Sequence, residues 1–329
     1  MSLDVLAIGD TTIDAFIRIK EATKTCDTHG EHCLLCVKYG EKIPFESVEV
    51  LPGVGNAANA AVACARLGLK TALRAYVGED KNGEGCIEWF KKNNVDTSLV
   101  VKEKGKNTNY HYVLWYGDDR TILIRHEAFS YGMPELPEEP AWMYLSSMPD
   151  SSLNYHKEVG QYVQAHPNIK VAFQPGTFQI NLGTETLKDI YARTEIFFCN
   201  KEEAQKILKT EERDEKKLLE GIRALGPKIA VVTDSRNGLS ASDGTHVFHL
   251  PMYPDPAPPV ERTGAGDATA STTMAYLALG ASLEEALMRG LINSMSVVQQ
   301  VGAQKGLLSR NAIEAWYAKR PTDFKPTAI

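Results

Sequence analysis

Six short strand-like runs, at 5–9, 71–77, 142–145, 169–173, 196–199 and 229–233, constrain the fold of this chain more than any other feature. Segments of helical pattern lie between or after them, at 60–67, 85–92, 155–165, 186–191, 201–208 and 215–225. Runs such as Val5-Leu6-Ala7-Ile8 lack the polar alternation of a half-solvated strand, so they predict strands buried on both faces. Strands alternating with helices predict an α/β fold, a three-layer α/β/α arrangement around a mainly parallel central sheet. No repeat, low-complexity tract or long linker divides the 329 residues, which read as one domain. Two pieces break the alternation. Residues 33–51 and the aromatic hairpin at 108–125 (Tyr110, Tyr112, Trp115, Tyr116) have the pattern of short antiparallel strands, and they predict a small β-sheet inserted from one edge as a lid.

Ligands of open α/β sheets bind beyond the carboxyl ends of the strands, so the polar residues there are the site candidates. Asp10 and Asp14 follow the first run, and either could grip hydroxyls or simply close a turn. Gly53-Val54-Gly55-Asn56-Ala57-Ala58-Asn59 opens an alanine-rich helix, where Asn56 and Asn59 can cap the helix or meet a ligand. Asn200 and Glu203 stand three apart at another helix start, the spacing of a capping box that can also hold water on Mg²⁺. Thr233, Ser235 and Gly238 belong to a polar turn after the run at 229–233. Arg120 is a candidate for an anionic group, with an exposed cross-strand charge as the alternative. The most telling stretch is Thr263-Gly264-Ala265-Gly266-Asp267, which runs into the smooth apolar segment 268–279. Small residues at a helix N-terminus admit an anion to unpaired amides, and Asp267 sets a carboxylate beside it. An anion cradle next to a proton acceptor is what phosphoryl transfer to a hydroxyl requires.

Charged residues make up 24% of the chain and the net charge is −6, which argues against nucleic-acid or anionic-membrane partners. No apolar run approaches a membrane span, and the first residues lack a signal segment, so a cytoplasmic protein is expected. Cys64, Cys86 and Cys199 sit in apolar contexts and read as core residues. Cys26, Cys33 and Cys36, with His29 and His32 among them, offer zinc-ligand types, but a second well-spaced pair is missing and a reduced loop is expected.

In order and spacing, Gly9-Asp10…Asp14, the 53–59 loop, Asn200-x-x-Glu203 and Thr263-Gly264-Ala265-Gly266-Asp267 resemble the ribokinase-like (PfkB) carbohydrate and nucleoside kinases over essentially the whole chain. Val301-Gly302-Ala303-Gln304-Lys305-Gly306 is similar to that family's C-terminal nucleotide-side loop. The resemblance implies an ATP- and Mg²⁺-dependent kinase with Asp267 as base and the amides of Gly264, Ala265 and Gly266 as anion hole. It further implies that Asp14, Gly53, Gly55 and Asn59 hold the acceptor, that Asn200 and Glu203 organise hydrated Mg²⁺, and that Thr233, Ser235, Gly238 and Asn293 line the nucleotide pocket. The expected acceptor is a small sugar or sugar-like alcohol. Alternatives are a nucleoside, whose base the aromatic hairpin could stack, and a non-catalytic sugar-binding regulator, against which the intact Asp267 argues. Glu261 stands where the family usually has Asp, which leaves its potassium site open here, and a homodimer through the lid is a further expectation.

Overall fold

The computed structural model describes residues 3–27, 33–117 and 119–329. Among the described residues, nine strands form the main sheet. Six of them are parallel, in the order Thr71–Arg74, Val5–Ile8, Trp142–Leu145, Lys170–Phe173, Thr194–Asn200 and Ile229–Thr233. Leu239–Ser242, Val247–Leu250 and Thr327–Ala328 extend one edge in antiparallel fashion.

The first strand shows why its sequence has no polar alternation. Val5 and Ala7 enter one core with the helices Asn56–Arg66, Ala265–Ala278 and Leu283–Val297, whereas Leu6 and Ile8 enter a second core on the opposite face. That second core is closed by Leu153–Ala165, Lys201–Leu208 and Glu215–Ala224. The three-layer α/β/α architecture is therefore as expected. Among the described residues no helix is long and apolar enough to cross a membrane.

A second sheet of four strands stands beside the main one, in the order Asp119–Leu123, Tyr110–Tyr116, Thr12–Ile19, Phe45–Val54. Only three residues separate Thr12–Ile19 from the first parallel strand, so Gly9-Asp10-Thr11 carries the chain from one sheet to the other. This strand was not foreseen, because its polar start reads locally as a turn. Cys33–Cys36 does not join the four-stranded sheet; it pairs with Thr23–Cys26 as a separate hairpin. Its register sets Cys26 opposite Cys33, and the two form a disulfide, correcting the expectation of a reduced loop. Cys36 is exposed, and His29 and His32 lie outside the described residues. Among the described residues no cluster of three His, Cys, Asp or Glu could hold a metal ion.

Candidate active site

The carboxyl ends of the parallel strands and the inner face of the second sheet enclose a cavity of about 430 Å³. Each parallel strand except the edge strand at 71–74 delivers a lining residue at or just past its end: Asp10, Ser147, Gln174, Asn200 and Thr233. The second sheet contributes Asp14, His111, Arg120 and Ile122, which alternation places on the same face. Much of the remaining wall comes from the two glycine-led helices, with the 175–178 segment and Glu203 adding to it.

At the first of these, Gly55 has φ +116, and a Cβ there would stand 2.7 Å from the Asp10 carbonyl oxygen. Only glycine lets the helix Asn56–Arg66 start so close to the strand-end loop. At the second, Gly264 caps the helix Ala265–Ala278 with φ +82, and a Cβ would collide with Ala303. These two helices pack on one another, so Asn56 and Asn59 face Asp267.

Asp267 is held by three side-chain amides. It is buried, and Oδ1 accepts hydrogen bonds from Asn56 Nδ2 (2.8 Å) and Gln174 Nε2 (3.1 Å) while Oδ2 accepts one from Asn59 Nδ2 (2.7 Å). Each long amide is oriented from behind. Gln304 Nε2 donates to Asn59 Oδ1 at 2.8 Å, and the Tyr144 hydroxyl donates to Gln174 Oε1, so both NH₂ groups must turn toward Asp267. Burial pushes the Asp267 carboxyl above its ordinary range, with the Asp14 charge adding to that, while the three amide donors pull it back.

Asn200 and Glu203 do form the capping box. Asn200 Oδ1 accepts from the Glu203 amide and Glu203 Oε2 accepts from the Asn200 amide, both at 2.8 Å. Both residues also line the cavity, so capping does not remove them from it. Burial raises the Glu203 carboxyl, and the Asp267 charge adds to the rise. A buried carboxylate, Asp267, and a partly buried one, Glu203, lie on one cavity, each raised by its surroundings, an environment that a bound cation would relieve.

Not every candidate reaches the cavity. Asp14, Gly55, Asn59, Arg120, Asn200, Glu203, Thr233, Gly264, Gly266 and Asp267 line it, whereas Gly53, Ser235, Gly238, Ala265 and Asn293 are not among its lining residues. Gly53 lies behind Asn59, its carbonyl accepting from Gln304 Nε2 at 2.7 Å. Ser235 opens a short turn with φ 49, and Gly238 packs where a Cβ would meet the Leu250 carbonyl. Asn293 is fully buried and cross-links two elements, donating to Thr272 Oγ1 (2.7 Å) and accepting from the Leu308 amide (2.8 Å). The Ala265 amide donates to the Arg262 carbonyl at 3.4 Å. None of Tyr110, Tyr112, Trp115 and Tyr116 lines the cavity either. Gln174, His111 and His126 line it and were missed; a Gln-Pro-Gly strand end and the alternation of His111 with Tyr110 and Tyr112 were the available signals. Glu261 is buried, with Oε2 accepting from the Thr263 amide (2.6 Å) and Oε1 from the Gly302 amide (2.8 Å), so it ties the loop before the 265–278 helix to the 302 loop.

The family model described as pfkB family carbohydrate kinase matches residues 4–310. Ribokinase of Bacillus subtilis (strain 168) is 27% identical over 285 residues, covering 84% of this chain and 91% of its own. Among solved structures, the Methanocaldococcus jannaschii nucleoside kinase, an archaeal member of the ribokinase family, superposes with a TM-score of 0.79 at 19% identity, covering 96% of this chain and 98% of its own. A putative ribokinase II from E. coli in complex with ATP and Mg²⁺ gives a TM-score of 0.74 at 17% identity, covering 96% and 99%. With the family model matching nearly its whole length, this chain belongs to the pfkB family of carbohydrate kinases.

Proposed function

We propose that the protein is an ATP-dependent phosphotransferase that phosphorylates a hydroxyl of a small sugar or sugar-like alcohol, with Mg²⁺ as its metal. The observation that carries this reading is Asp267: a buried carboxylate in the first turn of a glycine-capped helix, held by three amides and facing a cavity that spans both sheets. In this role Asp267 accepts the hydroxyl proton as the acceptor oxygen attacks the terminal phosphate, and positioning does most of the work, because a loose transition state needs the proton removed only late. Asn56, Asn59 and Gln174 favour the charged form of the carboxylate and aim it. The helix start at Gly264–Gly266 would receive the charge that builds on the transferred group, with the dipole reinforcing the amides. Of the three, Ala265 has the weaker claim, since its amide is already directed at Arg262.

Mg²⁺ would be held through water at Glu203, with Asn200 fixing that side chain, and when bound it neutralises phosphate charge. Thr233 stands on the same side and would meet the nucleotide, whereas Ser235, Gly238 and Asn293 would act on it only by shaping the loops around it. Asp14, Asn59 and Arg120 would face the acceptor, and the four-stranded sheet would serve as the lid that excludes water. A cytoplasmic setting, where ATP is present, goes with this reading.

The similarity to the M. jannaschii enzyme keeps a nucleoside acceptor as the second reading. Phe178, which lines the cavity, would serve as its stacking platform in place of the hairpin aromatics, which do not. An ATP-consumption screen across pentoses, hexoses, their phosphates and nucleosides tests the proposal. Turnover with a free sugar above that with any nucleoside is expected; a nucleoside as best acceptor selects the second reading, and an inert protein refutes both.

A further inference from the structure

Neither Trp89 nor Gln304 lines the cavity, yet a chain of hydrogen bonds runs from them to Asp267. Trp89 lies on the helix Lys81–Lys92, and its Nε1 donates to Gln304 Oε1 at 2.6 Å. Gln304 Nε2 donates to two acceptors, the Gly53 carbonyl at 2.7 Å and Asn59 Oδ1 at 2.8 Å. Asn59 Nδ2 then donates to Asp267 Oδ2. Gln304 and Asn59 are buried, so solvent does not stand ready to replace a lost partner. The backbone around Gln304 is pinned as well. Arg66 Nη1 donates to the carbonyls of Gln304 (2.7 Å) and Leu307 (2.9 Å), and Glu261 holds the Gly302 amide.

A side-chain amide turned by 180° exchanges a donor for an acceptor with almost no change of shape. Gln304 is barred from turning. An indole N–H only donates and a backbone carbonyl only accepts, and the two grip opposite ends of its amide. Asn59 is barred in turn while Gln304 offers it a hydrogen: its oxygen faces Gln304 and its NH₂ faces the carboxylate. A reversed Asn59 would set an oxygen against Asp267 and favour the protonated acid. Gly53 lies in the strand Phe45–Val54, so the same Gln304 NH₂ also ties the second sheet to the helix that carries Asn59.

We propose that Trp89 and Gln304 are positioning residues for Asp267: the indole N–H fixes the Gln304 amide, which through Asn59 keeps a donor rather than an acceptor on the carboxylate. That this serves catalysis rests on the kinase reading; the polarity of the chain does not. Carboxyl ¹³C NMR titration of the full chain reads Asp267 directly, its resonance identified by its absence from Asp267→Asn, and the acid limb of kcat/KM is measured separately. Trp89→Phe removes the N–H and keeps an aromatic ring. Its Asp267 midpoint should rise by about 0.5 unit or more, since one hydrogen bond to a charged carboxylate is worth about one unit. Gln304→Met should raise the midpoint likewise. Adding Trp89→Phe to Gln304→Met should then move it by under about 0.2 unit, because both act through one amide. A base works above its pKa, so the acid limb should move to higher pH in step. If Trp89→Phe does not fold, Gln304→Met decides alone. If neither folds, the parent protein decides: one of its four indole N–H resonances should shift at the Asp267 midpoint, and none should do so in Asp267→Asn. An unmoved midpoint, shifts that add in the double variant, or indole resonances indifferent to Asp267 overturn the inference and leave the kinase reading to the turnover of Asp267→Asn. A raised midpoint with an unmoved limb upholds the inference and removes Asp267 as the base.

Discussion

At the scale of single residues, Asp267 illustrates how a carboxylate is kept usable in a buried place. Burial alone would favour its neutral form, and three amide donors oppose that. Gln174 is the donor that can be removed with least disturbance to the two asparagines. In Gln174→Leu the carboxyl loses a stabilising contact in its charged form, so its pKa rises further. A base is active above its pKa, so the acid limb of the kcat/KM profile should move to higher pH, by about one unit for a hydrogen bond to a charged group. An unmoved limb would show that Gln174 does not support the base. Asp267, Asn59 and Asp14 could be picked from the sequence because each sits in a short motif beside glycines or at a strand end. Gln174, His111 and His126 carry weaker signals, a strand end without a glycine motif and an alternating hairpin, and it is the pairing of distant strands that brings them to the same cavity.

At the scale of elements, the two glycine-led helices were legible because their loops require conformations and clearances that few other sequences meet. The strand Thr12–Ile19 and the antiparallel edge at 239–250 were not, because short strands of mixed polarity carry little local signal. The 264–266 loop separates two roles of glycine. Gly264 needs a left-handed backbone and has no room for a methyl, whereas a Cβ on Gly266 would meet only Gln174 Nε2 at 3.7 Å. Gly264→Ala should therefore lower stability by about 1–3 kcal/mol. Gly266→Ala should leave the urea midpoint nearly unchanged yet slow turnover, because its methyl enters the cavity where the transferred group would sit. Equal midpoints for the two variants would contradict this division.

At the scale of the whole molecule, the four-stranded sheet has two unlike faces. The inner face carries Asp14, His111 and Arg120 into the cavity. Pairing and alternation put Val48, Val50, Tyr112 and Leu123 on the outer face, each near half exposed, with Phe45 at its margin. We propose that this apolar face on an edge-lying sheet meets a second copy of the chain, related by a two-fold axis. Sedimentation should find a dimer, and Val50→Asp should shift it toward monomer; a monomeric parent protein would contradict the assignment. The layered α/β/α architecture was readable from the alternation of apolar runs and helices. The makeup of the second sheet was not: Thr12–Ile19 belongs to it and Cys33–Cys36 does not, because register and the Cys26–Cys33 bridge are tertiary outcomes.

The central claim is that Asp267 takes the proton of the acceptor hydroxyl. Its most direct test is steady-state turnover of Asp267→Asn, with sugar and nucleotide affinities measured alongside. The amide is close in size and keeps the cavity, but it cannot accept the proton, so kcat should fall by at least ~10²-fold while both affinities stay within a few-fold. Turnover near that of the parent protein would contradict the account.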